Sequence, residues 1–313
     1  VRGMDLYILV DVCNYSLTYS MSGNTNHMSP DDHYQNLKRI IAAVGGKAKR
    51  INVIMPFLYE SRQHKRSSRE SLDCAVGLQE LTHMGVDNII TFDAHDPRVQ
   101  NAIPLSGFET VRPTYQFVKG LLDRYDDLII DSDHMMAISP DEGATERAVY
   151  LANVLNLDMG MFYKRRDYTR VVNGRNPIVA HEFLGSSVEG KDVIILDDMI
   201  SSGDSILDVA KQLKSRNAKR IFAAATFGLF TNGLDKFDEA YESGLIDGVL
   251  TTNLIYQTPE LLSRPYYINC DMSKYVALMI DTLNHDGSIS DILDPSERIQ
   301  VCVEEYKKAH GQL

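Results

Sequence analysis

The stretch that decides the fold is residues 193–206, VIILDDMISSGDSI, which joins an apolar run to a helix through a short polar loop. The apolar run ends on two adjacent carboxylates, Asp197 and Asp198, and residues 201–205 add hydroxyl groups and a glycine. Backbone N–H groups at a helix start bind anions, and glycine allows the backbone to approach a phosphate closely. The stretch therefore predicts a phosphate-binding loop beside carboxylates that hold sugar hydroxyls or a metal. In the simpler alternative, Asp198 and Ser205 only cap the helix.

The chain around this stretch alternates apolar runs with helical stretches, as in α/β proteins with parallel sheets. We predict strands at 6–10, 51–55, 88–92, 128–130, 193–196, 220–226 and 248–252, and helices at 35–44, 71–84, 145–155 and 205–215. Residues 18–33 are polar without periodicity, so they predict a surface loop, either an insertion or a lid.

The length of 313 residues fits two domains. We place them at 1–110 and 111–313, with the last helix expected to pack back on the first domain. Because the first residues already have a strand pattern and the chain starts at Val1, we expect the natural protein to continue upstream.

The composition excludes several classes of protein. The net charge of −11 disfavours nucleic acid and anionic membranes as partners, and no apolar run reaches the length of a membrane span. The four cysteines are widely spaced without a CxxC pair, which indicates reduced thiols and a cytoplasmic protein.

Two further segments carry chemistry in what we assign to the first domain. Residues 56–69, PFLYESRQHKRSSR, gather four cations in an acidic protein, which favours polyphosphate binding over a merely solvated basic loop. Residues 92–100, FDAHDPRVQ, place His95 between carboxylates just after a strand, at the sheet edge where α/β proteins bind ligands.

Two more follow in the second domain: 138–147, ISPDEGATER, and 163–170, YKRRDYTR. By themselves, the former could be an ordinary turn capped by Asp141, and the latter an exposed basic hairpin.

Taken in order, these motifs resemble those of the ribose-phosphate pyrophosphokinase family, whose ribose 5-phosphate loop usually has the form D-D-x-x-D-T-G-x-T. The resemblance covers most of the chain and implies two tandem phosphoribosyltransferase type I-like α/β domains with mainly parallel sheets. It also implies an active site between the domains, Mg²⁺ as cofactor, and assembly into homodimers and hexamers. The implied reaction transfers pyrophosphate from ATP to ribose 5-phosphate, giving phosphoribosyl pyrophosphate and AMP.

The resemblance implies roles for individual residues. It assigns ribose 5-phosphate binding to Asp197, Asp198, Ser201, Ser202, Gly203, Asp204 and Ser205, and the pyrophosphate loop to Asp141, Gly143 and Ala144. It assigns ATP binding to Arg62, Gln63 and His95, Mg²⁺ to His95 and Asp141, and transition-state stabilisation to Lys164 and Arg166.

Two departures from the family pattern support alternatives. Ser201 stands where a third Asp is usual, and Asp204, where glycine is usual, would repel a phosphate unless it points away or a cation intervenes. Both favour a non-catalytic regulatory homologue that binds nucleotide or an active paralogue, whereas Lys164 and Arg166 favour an enzyme. A phosphoribosyltransferase that consumes phosphoribosyl pyrophosphate is a third hypothesis, opposed by the second α/β half and the basic segment.

Overall fold

The structure is a computed structural model that describes residues 1–166 and 178–312; for 164–166 and 178–181 it describes the backbone alone. The chain forms two compact units. The first comprises Val1–Pro113, Thr252–Thr258 and Asp271–Asp294, and the second comprises Thr114–Thr251, Pro259–Cys270 and Pro295–Leu313. Among the described helices, none is long and apolar enough to cross a membrane.

The described strands and helices follow each other in the order expected of α/β units. The strands are β1 (Asp5–Leu9), β2 (Thr18–Met21), β3 (Asn24–His27), β4 (Arg50–Ile54), β5 (Asn88–Phe92), β6 (Gly107–Val111), β7 (Met135–Ser139), β8 (Asp158–Arg166), β9 (Ile178–Leu184), β10 (Asp192–Ile200), β11 (Arg220–Gly228), β12 (Gly248–Thr252) and β13 (Tyr267–Cys270). The helices are α1 (Pro30–Val44), α2 (Asp73–His83), α3 (Thr114–Arg124), α4 (Thr145–Leu155), α5 (Asp204–Lys214), α6 (Asp235–Glu242), α7 (Pro259–Leu262), α8 (Ser273–Asn284), α9 (Ser290–Leu293) and α10 (Ser296–Ala309). Short 3₁₀ turns lie at Pro97–Ala102 and Glu142–Ala144.

The first unit is built on a parallel sheet with strand order β1-β4-β5-β6. One face of this sheet is covered by α1 and α2, and Leu37, Val53, Leu78 and Ile89 are buried in the resulting core. The central strands β4 and β5 are mostly apolar because all but the first residue of each is buried, as is typical of parallel strands inside a sheet.

The polar stretch 18–33 is exposed, as predicted, but the expectation of an irregular loop is wrong. It contains an antiparallel hairpin, β2–β3, that turns through Ser22 and Gly23, both at positive φ. Helix α1 then begins at Pro30, five residues before the predicted start at 35. Its start is fixed by a capping box, in which Ser29 and Asp32 each accept a hydrogen bond from the other's backbone N–H group.

The second unit is built on a larger sheet, whose described strands run in the order β13-β12-β11-β10-β7-β8-β9. Strands β8, β7, β10, β11 and β12 are parallel along this order, and β9 is antiparallel to β8. Apolar residues on both faces of this sheet are buried, in two separate clusters. The carboxyl ends of β7, β10 and β11 therefore lie at one edge of the sheet.

One expectation for the second unit is wrong. The strand predicted at 128–130 is irregular, because Leu128 hydrogen-bonds to the side chains of Tyr306 and Gln312 rather than to a neighbouring strand. The strand of this region is β7. The last helix, α10, packs on α3 and α4 within the second unit, where Ile299 and Tyr306 are buried. The expected packing of this helix on the first domain stays a prediction.

Candidate active site

The acidic pair lies in the carboxyl-terminal half of β10, which continues past the predicted strand end at 196 to Ile200. Ile195 on β10 is paired with Ile138 on β7, so Asp197 lies two residues past that pair, beside the loop that follows β7. Asp198 is buried, and its backbone N–H donates to Oδ1 of Asp197 at 2.8 Å. Burial, together with the neighbouring carboxylates of Asp198 and Asp141, raises the pKa of Asp197 well above its usual range. Carboxyl groups are therefore crowded at this edge, and a bound cation would favour their ionised forms.

The loop after β10 makes a tight turn at Gly203. This residue has φ +83° and is buried directly before the first residue of α5. A Cβ atom there would lie 2.4 Å from a ring carbon of Phe237 on α6, which is too close for any side chain. Glycine is therefore required both by the left-handed backbone and by the packing of α6 on the loop.

A cation lies beside the unusual acid of the loop. Nζ of Lys236 on α6 is 2.5 Å from Oδ1 of Asp204, and the Ser202 hydroxyl donates to Oδ2 of Asp204 at 3.0 Å. Lys236, and then Ser202, hold the pKa of Asp204 below its usual range. The repulsion expected between Asp204 and a phosphate is thus countered by a lysine more than thirty residues along the chain, which no local motif could reveal.

The loop after β7 is a capped turn. The side chain of Asp141 accepts from the backbone N–H of Gly143 at 3.0 Å, and the Ser139 hydroxyl donates to the Asp141 carbonyl at 2.6 Å. Ala144 is buried beneath the turn. Asp141 is therefore a cap, as in the simpler alternative, but a carboxylate accepts several bonds and capping does not preclude a ligand.

Lys164 and Arg166 lie on β8, which pairs with β7 up to Met161 opposite Ser139 and then continues against β9. The strand thus carries both residues past the paired end of β7, at the edge that holds Asp141. Their side chains, and residues 167–170 of the same motif, lie outside what the structure describes.

The basic segment of the first unit follows β4 and is exposed. Within the described part of the chain, none of its cationic side chains forms an ion pair; these are Arg62, Lys65, Arg66 and Arg69. Gln63 instead holds the segment together, because its side-chain amide donates to the Ser71 carbonyl at 2.7 Å and to Glu70 at 3.3 Å.

His95 lies next to a second histidine that the sequence did not single out. The rings of His64 and His95 pack edge to face with centroids 5.2 Å apart, and Nε2 of His64 is 3.4 Å from Oδ2 of Asp96. Burial lowers the pKa of His64, while Arg98 holds the pKa of Asp96 at about 2. His95 therefore packs on a histidine of the basic segment whose lowered pKa favours the neutral imidazole.

Comparisons with known proteins agree with this arrangement. Residues 1–85 match the family model for the N-terminal domain of ribose phosphate pyrophosphokinase, and residues 112–252 match that for the phosphoribosyl transferase domain. The chain is 30% identical over 259 residues to a ribose-phosphate pyrophosphokinase of Mycoplasma genitalium, covering 82% of this chain and 70% of that protein. It is 28% identical over 294 residues to that of Vibrio parahaemolyticus, covering 93% and 84%.

The chain belongs to the ribose-phosphate pyrophosphokinase family. Its fold is also that of a solved phosphoribosylpyrophosphate synthetase from Mycobacterium smegmatis, with a TM-score of 0.72 at 20% identity, covering 92% of this chain and 100% of that one. The predicted family and the predicted pair of phosphoribosyltransferase-like α/β domains are thereby confirmed.

Membership of this family raises the question of metal binding. Among the described residues, no three His, Cys, Asp or Glu side chains converge as a ready-made metal site. Mg²⁺ does not need one, because it keeps several waters and is commonly held by one or two carboxylates plus substrate phosphates. The crowded carboxylates of Asp141, Asp197 and Asp198 fit that requirement.

Proposed function

We propose that the chain is a ribose-phosphate diphosphokinase that converts ATP and ribose 5-phosphate to phosphoribosyl pyrophosphate and AMP. The 1-hydroxyl oxygen of the sugar forms a bond to the β-phosphorus of ATP, the bond from that phosphorus to the α–β bridging oxygen breaks, and the hydroxyl proton is released. The observation that carries the proposal is the Gly203 turn, which opens α5 towards a phosphate directly after the Asp197–Asp198 pair.

In this proposal, the loop of the second unit binds ribose 5-phosphate. The N–H groups at the start of α5 and the hydroxyls of residues 201–205 bind the 5-phosphate, while Asp197 and Asp198 accept from the sugar hydroxyls. The crowding of Asp197 by Asp198 and Asp141 favours this role, because hydroxyl donors and a cation would stabilise its ionised form. The Asp141 turn receives the transferred pyrophosphate.

The basic segment of the first unit binds the ATP phosphates. Arg62 is exposed and unpaired among the described residues, so it can bind a phosphate without first breaking an ion pair. Gln63 is engaged within the segment, so we assign it a role in shaping the segment as well as in contacting ATP. His95 lies beside them through its packing on His64.

Mg²⁺ would be held by Asp141 together with substrate phosphates, with His95 in an outer-sphere role. When bound, it neutralises charge that develops on the phosphate oxygens. Lys164 and Arg166 provide further positive charge at the same sheet edge and stabilise the transition state.

The decisive experiment measures nucleotide products after mixing the protein with ATP, Mg²⁺ and ribose 5-phosphate. We expect AMP, rather than ADP, to form only when the sugar is present. Replacement of one transition-state donor costs about 10²- to 10³-fold in kcat, so Lys164→Ala should lose about that much. Lys308→Ala, which removes an exposed lysine on α10, serves as the matched control and should retain activity.

The absence of AMP, with ATP still bound, would favour the regulatory homologue, for which Ser201 and Asp204 are the supporting departures.

Assembly into homodimers or hexamers and a cytoplasmic location belong to the same proposal. Light scattering coupled to gel filtration tests the assembly. All four cysteines are free thiols, which is compatible with a reducing compartment.

A further inference from the structure

We infer that Lys236 is a binding residue for the 5-phosphate of the sugar, contributed from a helix outside the recognised loop, with Asp204 as its counter-ion in the free protein. This inference rests on the proposed function of the same loop. It assigns to Lys236 a role that neither the sequence motif nor the family resemblance gives it.

The geometry fixes where the lysine must lie. Phe237, the next residue on α6, packs so closely on Gly203 that no Cβ atom fits between them. The ring of Phe230 supports Phe237 edge to face, with centroids 5.2 Å apart. Because Phe237 anchors the start of α6 on the loop, the neighbouring Lys236 is held beside the start of α5.

The ammonium group has capacity left for a ligand. Its one hydrogen bond in the described structure goes to Asp204, the first residue of α5, and an ammonium group has three donors. About half of the Lys236 side chain is exposed, so the group can move without unpacking anything. A phosphate at the N–H groups that begin α5 would lie within reach of Nζ.

The charges explain why an acid is tolerated in this loop. Asp204 alone would repel a phosphate dianion, whereas the Asp204–Lys236 pair is neutral and leaves the helix start as the net attractive field. A phosphate that arrives can accept from Lys236 in place of, or together with, Asp204. A ligand must therefore compete with Asp204 for the ammonium group of Lys236, which favours a strongly charged anion such as a dianionic phosphate monoester.

The test measures ribose 5-phosphate binding by calorimetry, which does not require turnover, beside KM and kcat for AMP formation. Lys236→Ala should weaken binding and raise KM about 10-fold with little change in kcat, and Lys236→Arg should restore both. Asp204→Asn should tighten binding several-fold, because it removes the competitor of the phosphate. In Lys236→Ala/Asp204→Asn, the affinity should return to within a few-fold of the wild type.

Lys214→Ala is the matched control, since it removes one lysine at the opposite end of α5 and should leave binding unchanged. Equal weakening by Lys214→Ala, no weakening by Lys236→Ala, or a wild-type protein that does not bind ribose 5-phosphate would each overturn the inference. Titration with inorganic phosphate serves as a second probe. If inorganic phosphate binds as tightly as ribose 5-phosphate, and if Lys236→Ala weakens the binding of both equally, the site recognises a bare anion. The assignment to the sugar phosphate would then be wrong. Binding without AMP formation would overturn the proposed function but leave the inference standing.

Discussion

The two segments that we propose for phosphate binding differ in how they would attract a phosphate. The loop of the second unit is packed and internally neutral, since Gly203 lies under Phe237 and Asp204 is paired with Lys236. The basic segment of the first unit is exposed, and its described cations have no ion pairs. The difference teaches that shape and charge are separable contributions to phosphate binding.

Each solution has its own weakness. A packed loop loses its function when its shape changes, and such a change also destabilises the fold. An exposed cationic segment loses affinity when a charge is removed, and the fold is hardly affected because exposed groups contribute little to stability. Substitutions that change the shape of the packed loop should therefore reduce both stability and binding. Removal of an exposed cation from the basic segment should reduce binding alone.

The largest effect is expected at Gly203. Gly203→Ala adds both a left-handed backbone penalty and a clash with Phe237, so we expect about 3 kcal/mol of destabilisation and a large loss of ribose 5-phosphate binding. Gly233→Ala is the matched control, because Gly233 has a nearly equal φ of +79° but nothing within 4 Å of an added Cβ. It should cost only about 1 kcal/mol. Urea unfolding of both variants checks this, and equal losses would refute the role assigned to Phe237.

A smaller effect, on binding alone, is expected at Arg62. A hydrogen bond to a charged group contributes roughly 1.5–3 kcal/mol, so Arg62→Ala should raise KM for ATP by about 10-fold or more. The free energy of unfolding should change by less than about 0.5 kcal/mol, because the side chain is exposed. Arg39→Ala on α1 removes another exposed arginine of the same unit and should change neither quantity. A large loss of stability in Arg62→Ala would mean that the segment is structural.

Local sequence patterns predicted those parts of the fold that depend on local interactions. Apolar runs such as 51–55, 88–92 and 220–226 gave correct strands, because buried parallel strands need continuous apolar residues. The run at 128–130 misled for the same reason. It is as apolar as a strand, and Leu128 and Ile130 are buried, but the backbone of Leu128 hydrogen-bonds to side chains of residues that lie far along the chain.

The candidate site divides in the same way. The acidic pair and the glycine turn follow from neighbouring residues, and the structure places them at one sheet edge as the strand order requires. Lys236 and Phe237 could not be predicted, because they meet the loop only after the chain has formed β11 and returned through α6. His64 carried no signal of its own, since its significance lies in its contact with His95.

The smallest effect concerns Asp96, which contacts His64 of the basic segment and forms an ion pair with Arg98. Arg98 lowers its pKa to about 2, below the ordinary value of 3.8, so ionised Asp96 stabilises the fold at any pH above about 4. This contribution is lost as the pH falls from about 4 to about 2, where Asp96 becomes protonated in the folded protein as well. Arg98 is 77% exposed, so solvent screens the pair and the contribution is about 1 kcal/mol rather than the full value of the shift.

Asp96→Asn should therefore be less stable than the wild type by about 1 kcal/mol near neutral pH, and the difference should shrink towards zero near pH 2. Urea unfolding of both proteins across this range measures it, with Asp133→Asn, an exposed acid of the second unit, as the control for overall charge. A difference that stays constant with pH would show that Asp96 acts through packing and not through its charge.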